Sequence, residues 1–243
     1  MIRIIVNGAA GRMGQATVDA IMAEPALSLV AQAGLNDDLA ALIKSSKADV
    51  VVDFTQASVA YENASRIIAA NCRPVIGTSG LSAIQVTELQ ARCQAQQLGG
   101  VIAPNFAISA VLLMKLAGDA AQYFKDVEII EMHHERKQDA PSGTAIRTAE
   151  LIATQGKMNP SRNQGEQELL KGARSGQHHG IPIHAVRLPG ILAYQEVIFG
   201  GIGETLSIRH NTLDRHAYMP GVILACKKVM ALKHLVYGLE HLL

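Results

Sequence analysis

His133, His134 and Lys137 stand within five residues of one another, and a Pro141-Ser142-Gly143-Thr144 turn follows almost at once. Imidazole changes protonation near neutral pH, so either histidine can give or take a proton in a reaction. Lysine adds a point charge and a second transferable proton. The Pro-Ser-Gly-Thr segment opens a predicted helix. Ser142 or Thr144 can cap that helix, and the same geometry presents the N–H groups of Gly143 and Thr144 to an anion, backed by the helix dipole. Proton donor, positive charge and anion cradle together point to a site that reduces or rearranges a carboxylate substrate.

Side chains alternate along a strand. A strand over 127–133 therefore puts Val127, Ile129, Glu131 and His133 on one face and sends His134 to the other. Adjacent histidines on opposite faces are poorly placed to share a metal ion, and an H-x-x-x-H spacing is absent here; no metal is expected. Taken singly, each residue fits a plainer reading, a charged strand end with Glu135, Arg136 and Lys137 in a solvated turn.

A second constellation lies at the start of the chain. Gly8, Gly11 and Gly14 follow a β-branched run at 2–6 and precede a predicted helix. Glycines there let the chain turn sharply and bring backbone N–H groups against a pyrophosphate. The spacing is GxxGxxG rather than GxGxxG, so its placement in the first βα unit carries much of the reading. The acidic residue that would grip an adenosine ribose should follow by roughly 20 residues. Gly34, Leu35 and Asn36 occupy that stretch, and Asp37 and Asp38 read as caps of the next helix. NADH and NADPH therefore both remain open as cofactors.

These groups need elements to position them. Strand signals at 2–6, 27–33, 49–53, 73–77 and 100–103 alternate with helical ones at 15–23, 37–46, 58–70 and 82–97. Ser82 with Gln85 forms a capping box, and Ser58 is the expected cap of the third helix. This pattern predicts a Rossmann-like parallel sheet covered on both faces. Phe54-Thr55, Gly77-Thr78-Ser79 and Pro104-Asn105-Phe106 would then share the carboxyl edge where ligands bind. After about residue 105 the pattern changes to a long apolar helix over 107–123, the strand over 127–133 and a helix over 142–155. A polar, glycine-rich stretch over 156–182 reads as a loop. Strands near 183–189, 193–200 and 204–210 follow, and a helix over 219–236 closes the chain.

Composition narrows the class. The chain has 243 residues, 49% of them hydrophobic, and a net charge of +1, which supports a substantial core and gives no electrostatic case for nucleic acid or a membrane surface. No secretory signal and no apolar run near 18 residues is apparent. Three well-separated cysteines suggest reduced thiols and a cytoplasmic protein.

The chain resembles the 4-hydroxy-tetrahydrodipicolinate reductase (dihydrodipicolinate reductase) family over nearly its whole length. The resemblance is carried by Gly8-Ala-Ala-Gly-Arg-Met-Gly14, Asp53-Phe-Thr55, Gly77-Thr-Ser-Gly80 and Asn105-Phe106. Its most specific part is Glu131-Met-His-His-Glu-Arg-Lys137 with Asp139-Ala-Pro-Ser-Gly-Thr-Ala145. It implies NAD(P)H-dependent reduction of 4-hydroxy-tetrahydrodipicolinate to tetrahydrodipicolinate in diaminopimelate and lysine biosynthesis. Gly8, Ala9, Ala10, Gly11, Arg12 and Met13 would bind the cofactor pyrophosphate. Gly77, Thr78, Ser79, Ala103, Pro104, Asn105 and Phe106 would line the nicotinamide side. His133 would be the general acid/base, with Lys137 as second proton donor; His134, Ser142, Gly143 and Thr144 would hold the substrate carboxylates.

The resemblance also implies a discontinuous dinucleotide-binding domain (1–104 and 217–243). An α+β substrate domain with an open mixed sheet (105–216) would carry a homotetramer. The chain departs from the family's usual pattern at Gly34-Leu35 and at Leu188-Pro-Gly-Ile-Leu-Ala-Tyr-Gln195. Rival readings are an aspartate dehydrogenase-like enzyme, a non-catalytic dinucleotide sensor, and a metal-dependent lyase or hydrolase using His133, His134 and Glu135.

Overall fold

The computed structural model describes residues 1–159 and 167–243. Contacts divide it into two units, Met1–Ile108 with Arg215–Leu243, and Ser109–Asp214. The first unit alternates strand and helix: β1 (Ile2–Asn7), α1 (Arg12–Ala23), β2 (Leu27–Ala33), α2 (Leu39–Ser46), β3 (Val50–Asp53), α3 (Ala57–Ala69), β4 (Arg73–Ile76), α4 (Ala83–Ala95) and β5 (Gly100–Ile102). The second contains α5 (Ile108–Ala120), β6 (Asp126–His133), α6 (Gly143–Gln155), β7 (Gly176–His178), β8 (Ile181–Arg187), β9 (Ala193–Gly201) and β10 (Glu204–Thr212). The chain then returns to the first unit as α7 (Met219–Lys228) and β11 (Leu235–Tyr237).

The first sheet is parallel throughout, in the order β11-β5-β4-β3-β1-β2. Its strands are near-continuous apolar runs because both faces are covered: Ile4, Ile5, Val6, Val50, Val51 and Val52 are all fully buried. Strand order reverses between β1 and β3, the place where a doubly wound sheet opens to a ligand. The caps behave as their side chains dictate. Asp38 accepts from the N–H groups of Ala40 and Ala41 at the start of α2, and Ser82 with Gln85 closes a full capping box on α4. Helix α3 differs from its predicted start. Gln56, not Ser58, stands at its N-cap, without a side-chain cap, and Ser58 lies inside the first turn.

The second sheet is mixed and open, in the order β10-β9-β6-β8-β7, with β6 and β8 parallel and the other pairs antiparallel. One face is a core of Val127, Ile129, Ile181, Ile183, Val197 and Phe199, all buried. Helix α6 lies on that face, with Thr148 accepting from the Gln195 amide at 2.7 Å. The other face carries Ile130, Met132, Val186, Tyr194 and Ile198, each only partly buried.

Two segments differ from the sequence reading. The stretch over 156–182 contains β7 and the start of β8, joined by a two-residue hairpin in which His179 (φ 52°) and Gly180 (φ 76°) are both left-handed. That is the hairpin turn whose twist matches the strands, here reached without the usual Asn-Gly signal. The part of that loop expectation on 160–166, Gly165 included, lies outside the described residues. The predicted closing helix over 219–236 stops at Lys228. Residues 235–237 instead add a parallel strand to β5 and so pair the edge of that strand, which would otherwise stay open.

Candidate active site

In the first unit, every residue expected to touch a dinucleotide lies at the carboxyl edge of the parallel sheet. The glycine loop follows β1, Gly77–Ser79 follow β4, and Ala103–Phe106 follow β5. Gly8 is left-handed (φ +81°), and a β-carbon on Gly14 would stand 2.1 Å from the Gly8 carbonyl oxygen. The loop is thus folded back on the start of α1 in a way that excludes side chains at both positions. Gly11 is the N-cap of α1, makes no side-chain cap, and is followed by no acidic residue in the first turn. That helix end fits an anionic pyrophosphate. A shallow groove beside it is lined by Ala9, Ala10, Asp19, Gln32, Ala33 and Gly34, at the place an adenosine would take. Ala103 and Phe106 are buried beneath this edge.

Asp53, fully buried at the end of β3, organises this edge. Its Oδ2 accepts from the amides of Asn7 (2.7 Å) and Asn63 (3.0 Å). Its Oδ1 accepts from the hydroxyls of Thr55 (2.8 Å) and Thr78 (2.7 Å) and from the Thr55 N–H (3.1 Å). One carboxylate thereby ties the residue before the glycine loop to the loops after β3 and β4. Phe54 and Phe106 pack edge to face with centroids 5.8 Å apart, which joins the loop after β5 to them.

In the second unit, His133 ends β6 and shares a face with Glu131, as the alternation requires. Glu131 is fully buried, and its carboxylate accepts from His133 Nδ1 at 2.6 Å. It also receives both terminal nitrogens of Arg187, at 2.8 and 2.9 Å, and the backbone N–H of Ser142 at 3.1 Å. Burial alone would raise the Glu131 carboxyl, but hydrogen bonds from His133 and Arg187 outweigh it and hold it below the ordinary carboxylate range. Arg187 also donates to the Asp139 carbonyl at 2.6 Å.

The Lys137 ammonium bonds both oxygens of Asp139, at 2.8 and 2.9 Å. Burial would raise the Asp139 carboxyl, and the Lys137 hydrogen bond outweighs that and keeps it low. The Lys137 N–H donates to the His134 carbonyl, which closes the turn after β6. Ser142 is buried and its hydroxyl caps the Ala145 N–H at 3.3 Å, so it shapes the turn from within. Gly143 and Thr144 then form the first turn of α6. A β-carbon on Gly143 would meet no atom within 4 Å, so the space over that turn is open.

The sequence-predicted residues thus fall into two groups. The cofactor set gathers on one sheet edge of the first unit; His133, His134, Lys137 and the 142–144 turn gather at one end of the second. Glu131, Arg187 and Asp53 were not among the predicted site residues. An acidic side chain on a buried strand face, two residues from a histidine, was the available signal for Glu131. Arg187 is brought in by strand pairing, which sets it directly beside His133.

The model of the dihydrodipicolinate reductase N-terminus matches residues 2–106, and that of its C-terminus matches residues 109–243. A 4-hydroxy-tetrahydrodipicolinate reductase of Legionella pneumophila (strain Corby) is 54% identical over 241 residues, covering 99% of both chains. One of Coxiella burnetii (strain Dugway 5J108-111) is 50% identical, covering 100% of this chain and 99% of that one. A dipicolinate-bound dihydrodipicolinate reductase from Paenisporosarcina sp. TG-14 superposes with a TM-score of 0.90 at 41% identity, covering both chains in full.

Proposed function

The chain belongs to the dihydrodipicolinate reductase family, and from that premise we propose how its residues divide the chemistry of the reaction. The enzyme reduces 4-hydroxy-tetrahydrodipicolinate to tetrahydrodipicolinate with a nicotinamide cofactor, a step of diaminopimelate and lysine biosynthesis. When bound, the reduced nicotinamide supplies the hydride. His133 delivers the accompanying proton from Nε2, and the substrate's 4-hydroxyl departs as water, so that the hydride and proton taken up balance the product and water released. Lys137, His134 and the Gly143 and Thr144 N–H groups hold the substrate carboxylates, and Lys137 leaves Asp139 to do so. Gly8 to Met13 hold the cofactor pyrophosphate, with Gly77–Ser79 and Ala103–Phe106 along the nicotinamide. Charge placement and orientation supply most of the acceleration.

The observation that carries this division is the 2.6 Å bond from His133 Nδ1 to a fully buried carboxylate, beside a lysine and an open anion turn. The dipicolinate bound to the Paenisporosarcina relative, a flat ring with two carboxylates, suits the same cationic turn.

We further propose that NADH is the preferred donor. The groove beside the glycine loop includes Asp19 and no lysine or arginine, and Asp37 bonds the Gly34 N–H at 2.8 Å. A 2′-phosphate there would meet negative charge rather than a cation. The test is a spectrophotometric assay with substrate generated from pyruvate and aspartate semialdehyde. NADH should show a kcat/KM about tenfold above NADPH, the size expected of one unfavourable charge contact near a surface. Equal values, or a preference for NADPH, would sink the cofactor assignment.

No helix among the described residues is long and apolar enough to cross a membrane. Cys72, Cys93 and Cys226 are buried and unpaired, and burial pushes their thiols up to about 12, 11 and 12. The unpaired thiols support a cytoplasmic protein. The partly buried outer face of the second sheet, with Ile130, Met132, Val186 and Ile198, supports homotetramer assembly through that sheet. Fractionation and sedimentation check both points; membrane association or a 25.9 kDa monomer would overturn them.

A further inference from the structure

Glu131 has no part in the reaction as divided above, yet it bonds His133, Arg187 and the Ser142 N–H at once. Its oxygens are fully used: Oε2 accepts from His133 Nδ1 and one Arg187 nitrogen, and Oε1 accepts from the other Arg187 nitrogen and the Ser142 N–H. A carboxylate kept merely for structure would be satisfied by the arginine fork and the backbone N–H. The contact to the ring is what reaches the chemistry. A carboxylate only accepts, so Nδ1 must carry the hydrogen and Nε2 is left as the atom that exchanges a proton. Ser142 is the residue immediately before Gly143, so the same carboxylate also anchors the turn that faces the open space.

We propose that Glu131 is a positioning residue that sets the proton donor and the anion turn at a fixed spacing, holding His133 by Nδ1 and the 142–144 turn by the Ser142 N–H. Arg187 is its counter-charge. It lets the carboxylate stay ionised while fully buried, and it tempers the pull of that carboxylate on the imidazolium. This inference rests on the reading of His133 as the proton donor. The charged groups around Glu131 are His133 on its own strand and Arg187 on β8; Lys137 and Asp139 lie in the adjoining turn and pair with each other. On β9 its register partner is the neutral Gln195, and α6 offers the Ser142 N–H.

The experiment compares Glu131→Gln, Glu131→Asp and His133→Ala in the full chain, each followed as kcat and KM against pH together with NADH affinity. Glu131→Gln should lower kcat about 10²-fold, within the range for a misoriented general acid. It should also raise KM and leave NADH affinity unchanged. The alkaline limb of its kcat profile should move to lower pH, because the imidazolium loses the anion that favours it. Glu131→Asp keeps the charge but withdraws it by one methylene, so a loss of roughly tenfold and a smaller shift in the same direction are expected. A native kcat and native limb in whichever of the two Glu131 variants folds overturns the proposal. So does a fall in kcat with the limb unmoved, which is what lost packing alone would give. If His133→Ala instead turns over normally, the reading of His133 fails first, and the two failures are told apart.

Discussion

Replacing His133 by alanine should lower kcat about 10²–10⁴-fold, the usual cost of losing a general acid, while NADH binds almost as before. The structure gives reasons for both halves of that result. The imidazole ends β6 and is only 17% exposed, held at Nδ1, with Nε2 as its remaining exchangeable atom. Removing it takes away the proton donor but leaves Glu131 bonded to Arg187 and to the Ser142 N–H, so the buried carboxylate stays satisfied and the turn stays anchored. The glycine loop lies in the other unit, so a fluorescence titration with NADH should report a nearly native dissociation constant. Near-normal turnover in this variant would remove His133 from the chemistry.

Lys137→Ala should cost about 10²-fold in kcat/KM, with KM rising as well as kcat falling. A charge-assisted hydrogen bond contributes about 1.5–3 kcal/mol, and 3 kcal/mol corresponds to roughly that factor. Lys137 bonds Asp139, whose side chain is 61% exposed, so the lysine is held by a pair that solvent weakens and a ligand carboxylate can displace. Lys137→Arg should recover only part of the loss, because a planar fork does not reproduce a compact ammonium. Steady-state kinetics over a range of substrate concentrations separate the two parameters. An unchanged KM together with an unchanged kcat would place the lysine outside the site.

Local chemistry made much of this molecule legible before its structure. The β-branched runs, the glycine loop and the Ser82–Gln85 box each carry their own instructions, and all lie where those instructions say. Alternation along 127–133 likewise put Glu131 and His133 on one face, and their hydrogen bond follows from that spacing. What stayed hidden depends on partners distant in sequence. Arg187 reaches Glu131 because β8 pairs with β6, a fact no local pattern states. The hairpin between β7 and β8 uses a histidine in a left-handed turn, so a polar, glycine-rich run concealed β7 and the start of β8. Residues 235–237 have an apolar composition that suits helix and strand equally, and the free edge of β5 decides between them. Asp53 read as a strand end because the four residues that bond it, Asn7, Thr55, Asn63 and Thr78, come from four different segments.

That last strand carries a consequence for how the protein is made. The first sheet is begun by Ile2–Asn7 and finished by Leu235–Tyr237, which pair with Gly100–Ile102. The whole of Ser109–Asp214 emerges in between. The inserted unit therefore has its strands while the surrounding one still lacks β11, and β5, paired with β4 on one side, keeps its other edge open for the length of that synthesis. A chain lacking Leu235–Tyr237 would therefore carry a complete Ser109–Asp214 unit beside a first sheet with an open, aggregation-prone edge.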